Sequence, residues 1–478
     1  MRKQAQKGVN KTNKYGKIIP SAEKSQRVPI LTRIRNRLSS RRVEKSKGFV
    51  ETDEFLKISR GENNNYFTRN RKLSLILLVY SMLIRRGTTL KMELYRLKEH
   101  FNMQSKISVS GYHQQRVKLN PKAIECLAQH YVRLFYEDGE AVKTIKGYLL
   151  LATDGTSVNV SPTEENIKKY CEKKAENTKD GVRIQPQMGV STLFDVKNRM
   201  IIDMLMFPEK FCERSAAKQH IDNAPNIIGN RRYIVAADRG YPAGDLFLDF
   251  LNKGIKFIVR LSKTDYKKEQ LSMESDDCNV TIVFNNQRLA SKEKEVAEKL
   301  KAAGSIELRF VRIKLSSDET EYIATNLDYS EFNTKEIGEL YHLRWGIETV
   351  YDDLKNKLKM ECFSGTKPVI MEQDLYATMY LSNLINDLAQ DAAAILEEED
   401  LKGYKYEMQI NINMAIGIVK ENLVKMCLAK DRKTIDELMD SIVDDILENL
   451  LPIRKGRSFP RNTNSRKAKY FNNRKPAY

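Results

Sequence analysis

Three carboxylates stand at points where a folded chain could gather them: Asp154 in "GYLLLATDG", Asp238 in "RYIVAADRGY" and Glu348 in "YHLRWGIETVYDDLK". Clustered carboxylates repel one another, so a fold that collects three needs a compensating cation. Oxygen-only donors with no Cys or His beside them favour Mg2+ or Mn2+ over zinc. Two such ions, about 3.5–4 Å apart, can activate a water or hydroxyl and stabilise the leaving oxygen in phosphodiester chemistry. A single Asp-Gly is most often a turn. The weight lies on the set of three.

The elements that must position them are legible as patterns. "GYLLLATDG" reads as a strand ending in Asp154, and "QMGVSTLFDV" and "RMIIDMLMF" as two more strands joined by "KNR". "ERSAAKQHIDNAPNI" reads as a helix, "RYIVAAD" as a strand ending in Asp238, "PAGDLFLDFLNKG" as a helix closed by Gly254, and "IKFIVRL" as a fifth strand. Three consecutive strands, then helix–strand–helix–strand, predict a mixed sheet flanked by helices, the order of a ribonuclease H-like core in an α/β (α+β multidomain) chain. The glycines at 155 and 240 allow something to approach the backbone closely.

The stretch from Tyr341 to Lys355 reads as one helix. At 100° per residue, Leu343, Ile347, Val350, Leu354 and Leu358 share an apolar stripe. Tyr341, Arg344, Glu348 and Lys355 then share the stripe beside it. The plain alternative is a solvated amphipathic helix with i,i+4 ion pairs, so the rest of the chain has to decide.

Charge placement says more than the net +19. Residues 1–50 carry 15 Lys/Arg against 2 Glu, and residues 454–478 carry 9 Lys/Arg and no acid, which leaves a near-neutral body. Two basic ends around such a body point to a polyanion partner, because Lys and Arg release counterions from phosphates. The six cysteines are scattered with no CxxC pair, which suits a reducing compartment and argues against a disulfide framework or zinc site. The longest apolar run, "LSLILLVYSMLI", is too short to span a bilayer. The expectation is a cytoplasmic protein that is nucleoid-associated when bound to DNA, with no membrane partner.

Tyr341, two residues, Arg344, three residues, Glu348, six residues and Lys355 reproduce the YREK signature, and the chain here resembles the insertion-sequence-four family of bacterial DDE transposases. "DGTS" at Asp154 and "DRGY" at Asp238 are similar to the family's two aspartate motifs. "FIVRL" with Arg260 resembles the strand after the second. "SVSGYHQQRVKLNP", "FSGTKP" and "QDLYATMYLSNLI" are also similar to family sequence, so the resemblance runs from roughly residue 70 to 430. It implies a ribonuclease H-like core interrupted by a mostly β insertion, and cut-and-paste transposition through hairpin ends. It further implies Asp154, Asp238 and Glu348 as ligands of two Mg2+ or Mn2+ ions, and Tyr341, Arg344 and Lys355 on the DNA backbone. Arg239 and Arg260 are further candidate DNA contacts, with double-stranded DNA (inverted repeats and target) as partner and a homodimer in the synaptic complex. Some relatives hold a flipped base with a tryptophan in the insertion. Here the one tryptophan is Trp345, inside the signature, which leaves Tyr266 or Phe284 as candidates for that role.

The expected division is a basic flexible DNA-contacting arm (1–65), a helical N-terminal domain (66–140), and the core in two parts (146–261 and 320–372) around an insertion subdomain (262–319). A helical C-terminal region (373–453) and a basic tail (454–478) complete it. Two other readings keep the same residues: a DNA-binding repressor derived from a transposase, and a structure-specific nuclease. A pure binder gains nothing from clustering charges that repel.

Overall fold

A computed structural model describes residues 30–69, 72–139, 141–171, 186–290, 292–314, 319–398 and 406–454. Its centre is β1 (Leu149–Asn159), whose residues Leu149 to Ala152 are buried on both faces of a sheet. Such an unbroken apolar run is what a central strand with covered faces needs. Flanking β1 are β2 (Gln187–Asp195) and then β3 (Met200–Pro208) on one side, and β4 (Tyr233–Ala237) and then β5 (Lys256–Leu261) on the other. The first three strands pair antiparallel, and β4 and β5 run parallel to β1. That is the ribonuclease H-like order expected from the sequence.

The sheet does not stop there. β6 (Asp277–Val283), β7 (Ser305–Lys314) and β8 (Thr320–Thr325) extend it to eight strands in the order β3-β2-β1-β4-β5-β8-β7-β6, all three added pairings antiparallel. The segment 262–319 therefore contributes β6 and β7 to the core sheet itself. It also carries three short helices, so it is mixed in structure.

Among the described residues, six helices precede the sheet: α1 (Ile30–Val50), α2 (Asp53–Arg60), α3 (Leu75–Leu83), α4 (Leu90–His100), α5 (Val109–Lys118) and α6 (Pro121–Asp138). Proline opens α6 at its first turn, where the Asn120 side chain accepts from the Lys122 N–H. After β1 comes α7 (Glu164–Tyr170). The crossover from β3 to β4 runs through α8 (Glu213–Asn223) and α9 (Pro225–Ile228), and that from β4 to β5 through α10 (Gly244–Asn252). Gly254, at φ +64, closes α10 in the left-handed region that favours glycine. The inserted helices are α11 (Lys267–Leu271), α12 (Asn286–Leu289) and α13 (Lys294–Ala303). Then follow α14 (Thr334–Leu343), α15 (Gly346–Asp352), the long α16 (Pro368–Glu398), α17 (Ile412–Leu428) and α18 (Arg432–Leu447). No helix of the described residues is long and apolar enough to cross a membrane.

Two expectations need correction here. A flexible arm over 1–65 does not describe residues 30–60, which form α1 and α2. Val43, Phe49, Val50 and Phe55 lie in the main apolar cluster, with α16 and α18 side chains. The local composition misleads because Arg42 is buried by distant partners: Asp387 at 2.8 and 2.7 Å and Asp138 at 2.8 Å. Residues 1–29 of that arm, and 455–478 of the basic tail, lie outside the described residues. The second correction concerns Asp154, which does not end its strand. Pairing with β4 stops at Ala152, but β2 goes on pairing with β1 as far as Asn159.

Candidate active site

Asp154 lies two residues beyond the point where β1 parts from β4, and Asp238 directly follows β4. The parallel register Ala152↔Ala236 thus puts the two aspartates at the same edge of the sheet. Local backbone fixes each carboxylate: the Gly155 N–H donates to Asp154 Oδ1 at 2.8 Å, and the Gly240 N–H to Asp238 Oδ1 at 2.8 Å.

What approaches the two glycines is a fourth carboxylate that the sequence patterns do not single out. Glu213 opens α8. A Cβ at Gly155 would lie 2.9 Å from its Oε1, and a Cβ at Gly240 would lie 3.0 Å from its Oε2. The signal in the sequence is the pair of glycines beside the two aspartates. The residue that needs the space comes from a helix whose start is set by tertiary packing. A cleft of about 460 Å3 opens here, lined among others by Thr156, Ser157, Phe211, Glu213 and Arg214.

The electrostatics follow from this crowding. Burial pushes the Asp154 carboxyl up to about 6, and the charges of Asp238 and Glu213 add to the shift, while the Gly155 N–H and Arg344 oppose it. Glu213 is raised by burial and by Asp238. Arg344 is the compensating cation within the protein. Burial works against its charge, but Tyr341, Asp154 and Asp238 together hold its guanidinium above the ordinary value.

Glu348 and its neighbours do not sit on one straight helix. An Asn333–Glu336 capping box starts α14. After Leu343 the chain tightens: the Arg344 N–H donates to Tyr341 O, the Trp345 N–H to His342 O and the Ile347 N–H to Arg344 O, all three residues back. Such turns advance by about 120° per residue rather than 100°. Past Asp352 a π turn, Asp353–Lys357, unwinds the helix in the opposite sense.

The apolar stripe survives, with Ile347, Val350, Leu354 and Leu358 buried. The polar stripe does not. Tyr341, expected on the DNA backbone, is only 2% exposed and packs under the sheet with Tyr148, Ile258 and Ile323. In this conformation it cannot touch DNA directly. Arg344 is 4% exposed and donates to Glu348 Oε1 at 3.3 Å. Among the described residues the Tyr341 hydroxyl and Arg344 Nε are buried with no partner at full hydrogen-bond geometry, and the guanidinium carbon lies 5.7 Å from the centre of the Tyr341 ring.

The other candidates are spread along the cleft. The Lys355 ammonium reaches back to β1, donating to Thr156 Oγ1 at 2.6 Å and to the Ser157 carbonyl at 2.7 Å. Arg239 is exposed beside Asp238. Arg260 pairs with Glu321 of the adjacent β8 at 2.9 Å. Of the aromatics considered for base stacking, Phe284 is buried against Gly244, and Tyr266 packs on Phe247 and Phe310. Trp345 is 39% exposed.

Among the described residues no three His, Cys, Asp or Glu side chains form a ready cage for a metal ion. The donor set nonetheless suits a hard cation. Mg2+ is typically held by one or two carboxylates and completed by substrate phosphates and water. Asp154 and Asp238 supply that pair, all oxygen, next in the chain to Gly155 and near Gly240, which line the cleft.

A family model described as "Transposase DDE domain" matches residues 145–384, the whole stretch from before β1 into α16. Transposase InsG for insertion sequence element IS4, of Escherichia coli (strain K12), is 30% identical over 145 residues, which are 30% of this chain and 31% of that protein. The chain therefore spans about a third of the length of that relative. A cryo-EM structure of a piggyBac transposase synaptic complex with hairpin DNA aligns over 91% of this chain and 88% of that one, at 10% identity and a TM-score of 0.38.

Proposed function

Because the chain belongs to the DDE transposase family, we propose that it cleaves the inverted-repeat ends of an insertion sequence and joins them to target DNA, by cut-and-paste through hairpin ends. The observation that carries the reading is the pair Asp154 and Asp238 at one sheet edge, with the buried Arg344 close enough to feel both charges. Asp154, Asp238 and Glu348 would hold two Mg2+ or Mn2+ ions, which when bound supply the charge that activates a hydroxyl and stabilises the leaving oxygen. Arg344, buried and now serving the carboxylates and Glu348, would have to come out of that burial to take a phosphate with two hydrogen bonds. Lys355 is placed to exchange its β1 oxygens for a phosphate, and exposed Arg239 to meet flanking DNA. Tyr341 acts from the core by seating Arg344. Arg260, beside Glu321, would need to leave that partner to bind DNA. Two ends joined at once call for two subunits in the active complex.

The test is cleavage of the DNA flanking the gene by the full chain in Mg2+. Specific nicks at the inverted repeats support the reading, and cutting indifferent to those ends contradicts it. Protons and metal compete for the Asp154 oxygens, so the apparent Mg2+ affinity is expected to fall as pH drops through about 6. Cleavage against Mg2+ concentration, titrated one unit either side of that value, checks it. An affinity that does not change with pH would place the metal elsewhere.

Residues 1–29 hold eight Lys/Arg against Glu23 alone. Deleting them, while leaving α1 in place, is expected to weaken end binding at moderate salt. The slope of log affinity against log salt should flatten by about 0.9 for each DNA phosphate that the shortened chain no longer neutralises. An equal slope in both proteins would make the segment irrelevant to DNA.

A further inference from the structure

We propose that Tyr351 is a positioning residue that ties the helix bearing Glu348 to the main chain at Asp154, and so sets the spacing of the metal-holding carboxylates. The inference rests on the transposase reading above. Tyr351 lies three residues after Glu348 on α15, almost one turn further along the same short helix. Its hydroxyl donates to the Asp154 carbonyl at 2.8 Å and accepts from Thr192 Oγ1 at 2.8 Å. Thr192 is the residue directly opposite Asp154 in the β1–β2 register. One phenol therefore bridges the strand pair at the position of the first aspartate.

The place where this occurs is the place that needs it. Past Ala152, β1 no longer pairs with β4, so among the described strands Asp154 pairs with β2 alone. Hydroxyls take over what a ladder would have done. Besides Tyr351, Ser191 Oγ lies 3.4 Å from the Asp154 carbonyl, and His220 Nε2 lies 3.0 Å from that serine oxygen. Asp203 Oδ2 in turn lies 2.8 Å from His220 Nδ1. Four residues further along the chain from Tyr351, Lys355 grips Thr156 and Ser157. The signature segment is thus fastened to β1 at two points, and Tyr351 is the one beside Asp154.

A carboxylate site is sensitive to such support, because outer partners that orient ligands typically matter about 10- to 100-fold in metal affinity or activity. Tyr351→Phe keeps the ring in its buried place and removes only the hydroxyl. The expected result is a folded protein that binds inverted-repeat DNA within about twofold of wild type when metal is withheld. Its half-saturating Mg2+ for cleavage should rise about tenfold, with part of the loss restored by Mn2+. Tyr136→Phe is the control, since Tyr136 also buries a hydroxyl, on Asp195 at 2.7 Å. It should unfold more easily yet keep the wild-type Mg2+ requirement.

A second readout does not depend on turnover. Fe2+ held in the site, with hydrogen peroxide supplied as oxidant and ascorbate to return Fe3+ to Fe2+, should cut the polypeptide near Asp154 through hydroxyl radicals, and that cut should weaken in Tyr351→Phe. If Tyr351→Phe keeps the wild-type Mg2+ requirement and the wild-type iron cut, the tyrosine is ordinary core and the proposal is overturned. If wild type cleaves no inverted-repeat end, the transposase reading fails, while the iron cut still decides the positioning claim.

Discussion

Alanine in place of Asp154, Asp238 or Glu348 is expected to lower strand cleavage by about a thousandfold or more, because each loss removes several kcal/mol of charge stabilisation from the transition state. End binding without metal should persist, since none of the three is a phosphate contact. For Asp154 the structure adds a second signature. Its carboxyl, raised to about 6 in the fold, is ordinarily near 4 in an unfolded chain, so above that window the folded protein carries an ionised group that burial and Asp238 disfavour. Removing it takes away a destabilising charge. Metal-free Asp154→Ala should therefore be at least as stable as wild type near neutral pH, with the gain shrinking as pH falls from about 6 and gone below about 4. Glu348→Ala gives up, among its contacts, the i,i+4 pair with Arg344, itself worth a few tenths of a kcal/mol. Urea melts at two pH values and end cleavage on the same preparations measure both. More than a few per cent of wild-type cleavage in any variant would remove that residue from the site.

What is legible in the sequence is whatever depends on near neighbours. The five core strands and their order follow from apolar runs and the turns between them, and Asp238 stands where its strand pattern stops. Asp154 shows the limit. Its strand runs on to Asn159 because β2 keeps pairing after β4 has ended, and nothing within "LLLATDGTS" says which partner stops first. The signature segment reads as one helix because its composition permits one. Its tight turn at Arg344 and its π turn carry no proline, and Gly346 is the only local hint. Those two changes of pitch are enough to turn Tyr341 into the core and to bring Tyr351, unremarkable on a helical wheel, onto Asp154. Helix α1 hides in a basic stretch for a related reason. The partners that let Arg42 be buried are 96 and 345 residues away.

Arg116→Ala is expected to cost about 3–5 kcal/mol of stability, the penalty for removing one member of a buried charged cluster. Arg116 is fully buried in α5, within the stretch "SVSGYHQQRVKLNP". Its guanidinium donates to Gln373 Oε1 at 2.5 Å, to Ser364 Oγ at 2.9 Å, to the Ile370 carbonyl at 3.1 Å and to Asp374 Oδ1 at 2.9 Å, and also meets the Tyr112 hydroxyl at 3.1 Å. Gln373 answers by donating to the carbonyls of Arg116 and Leu119. Three segments that resemble family sequence separately, around Arg116, in "FSGTKP" and in "QDLYATMYLSNLI", thus meet on one side chain. The cluster fastens the N-terminal helices to α16, whose Asn383 caps the backbone of β3 at Ile201. Its loss should loosen the frame of the site without touching the carboxylates. Alanine leaves Asp374 with Arg85 and the Ser364 donors, so the acid is not wholly abandoned. Gln373 Oε1 and the Ile370 carbonyl lose the Arg116 donor. Lysine should recover only part of the loss, since an ammonium offers three donors where the guanidinium has five in a planar fork. Equilibrium urea unfolding of Arg116→Ala and Arg116→Lys measures this, with an unchanged m-value as the sign that stability alone has moved. A cost below about 1 kcal/mol for alanine, the size of a single ordinary hydrogen bond, would mean that the apolar contacts of α5 and α16 hold the two regions together without it.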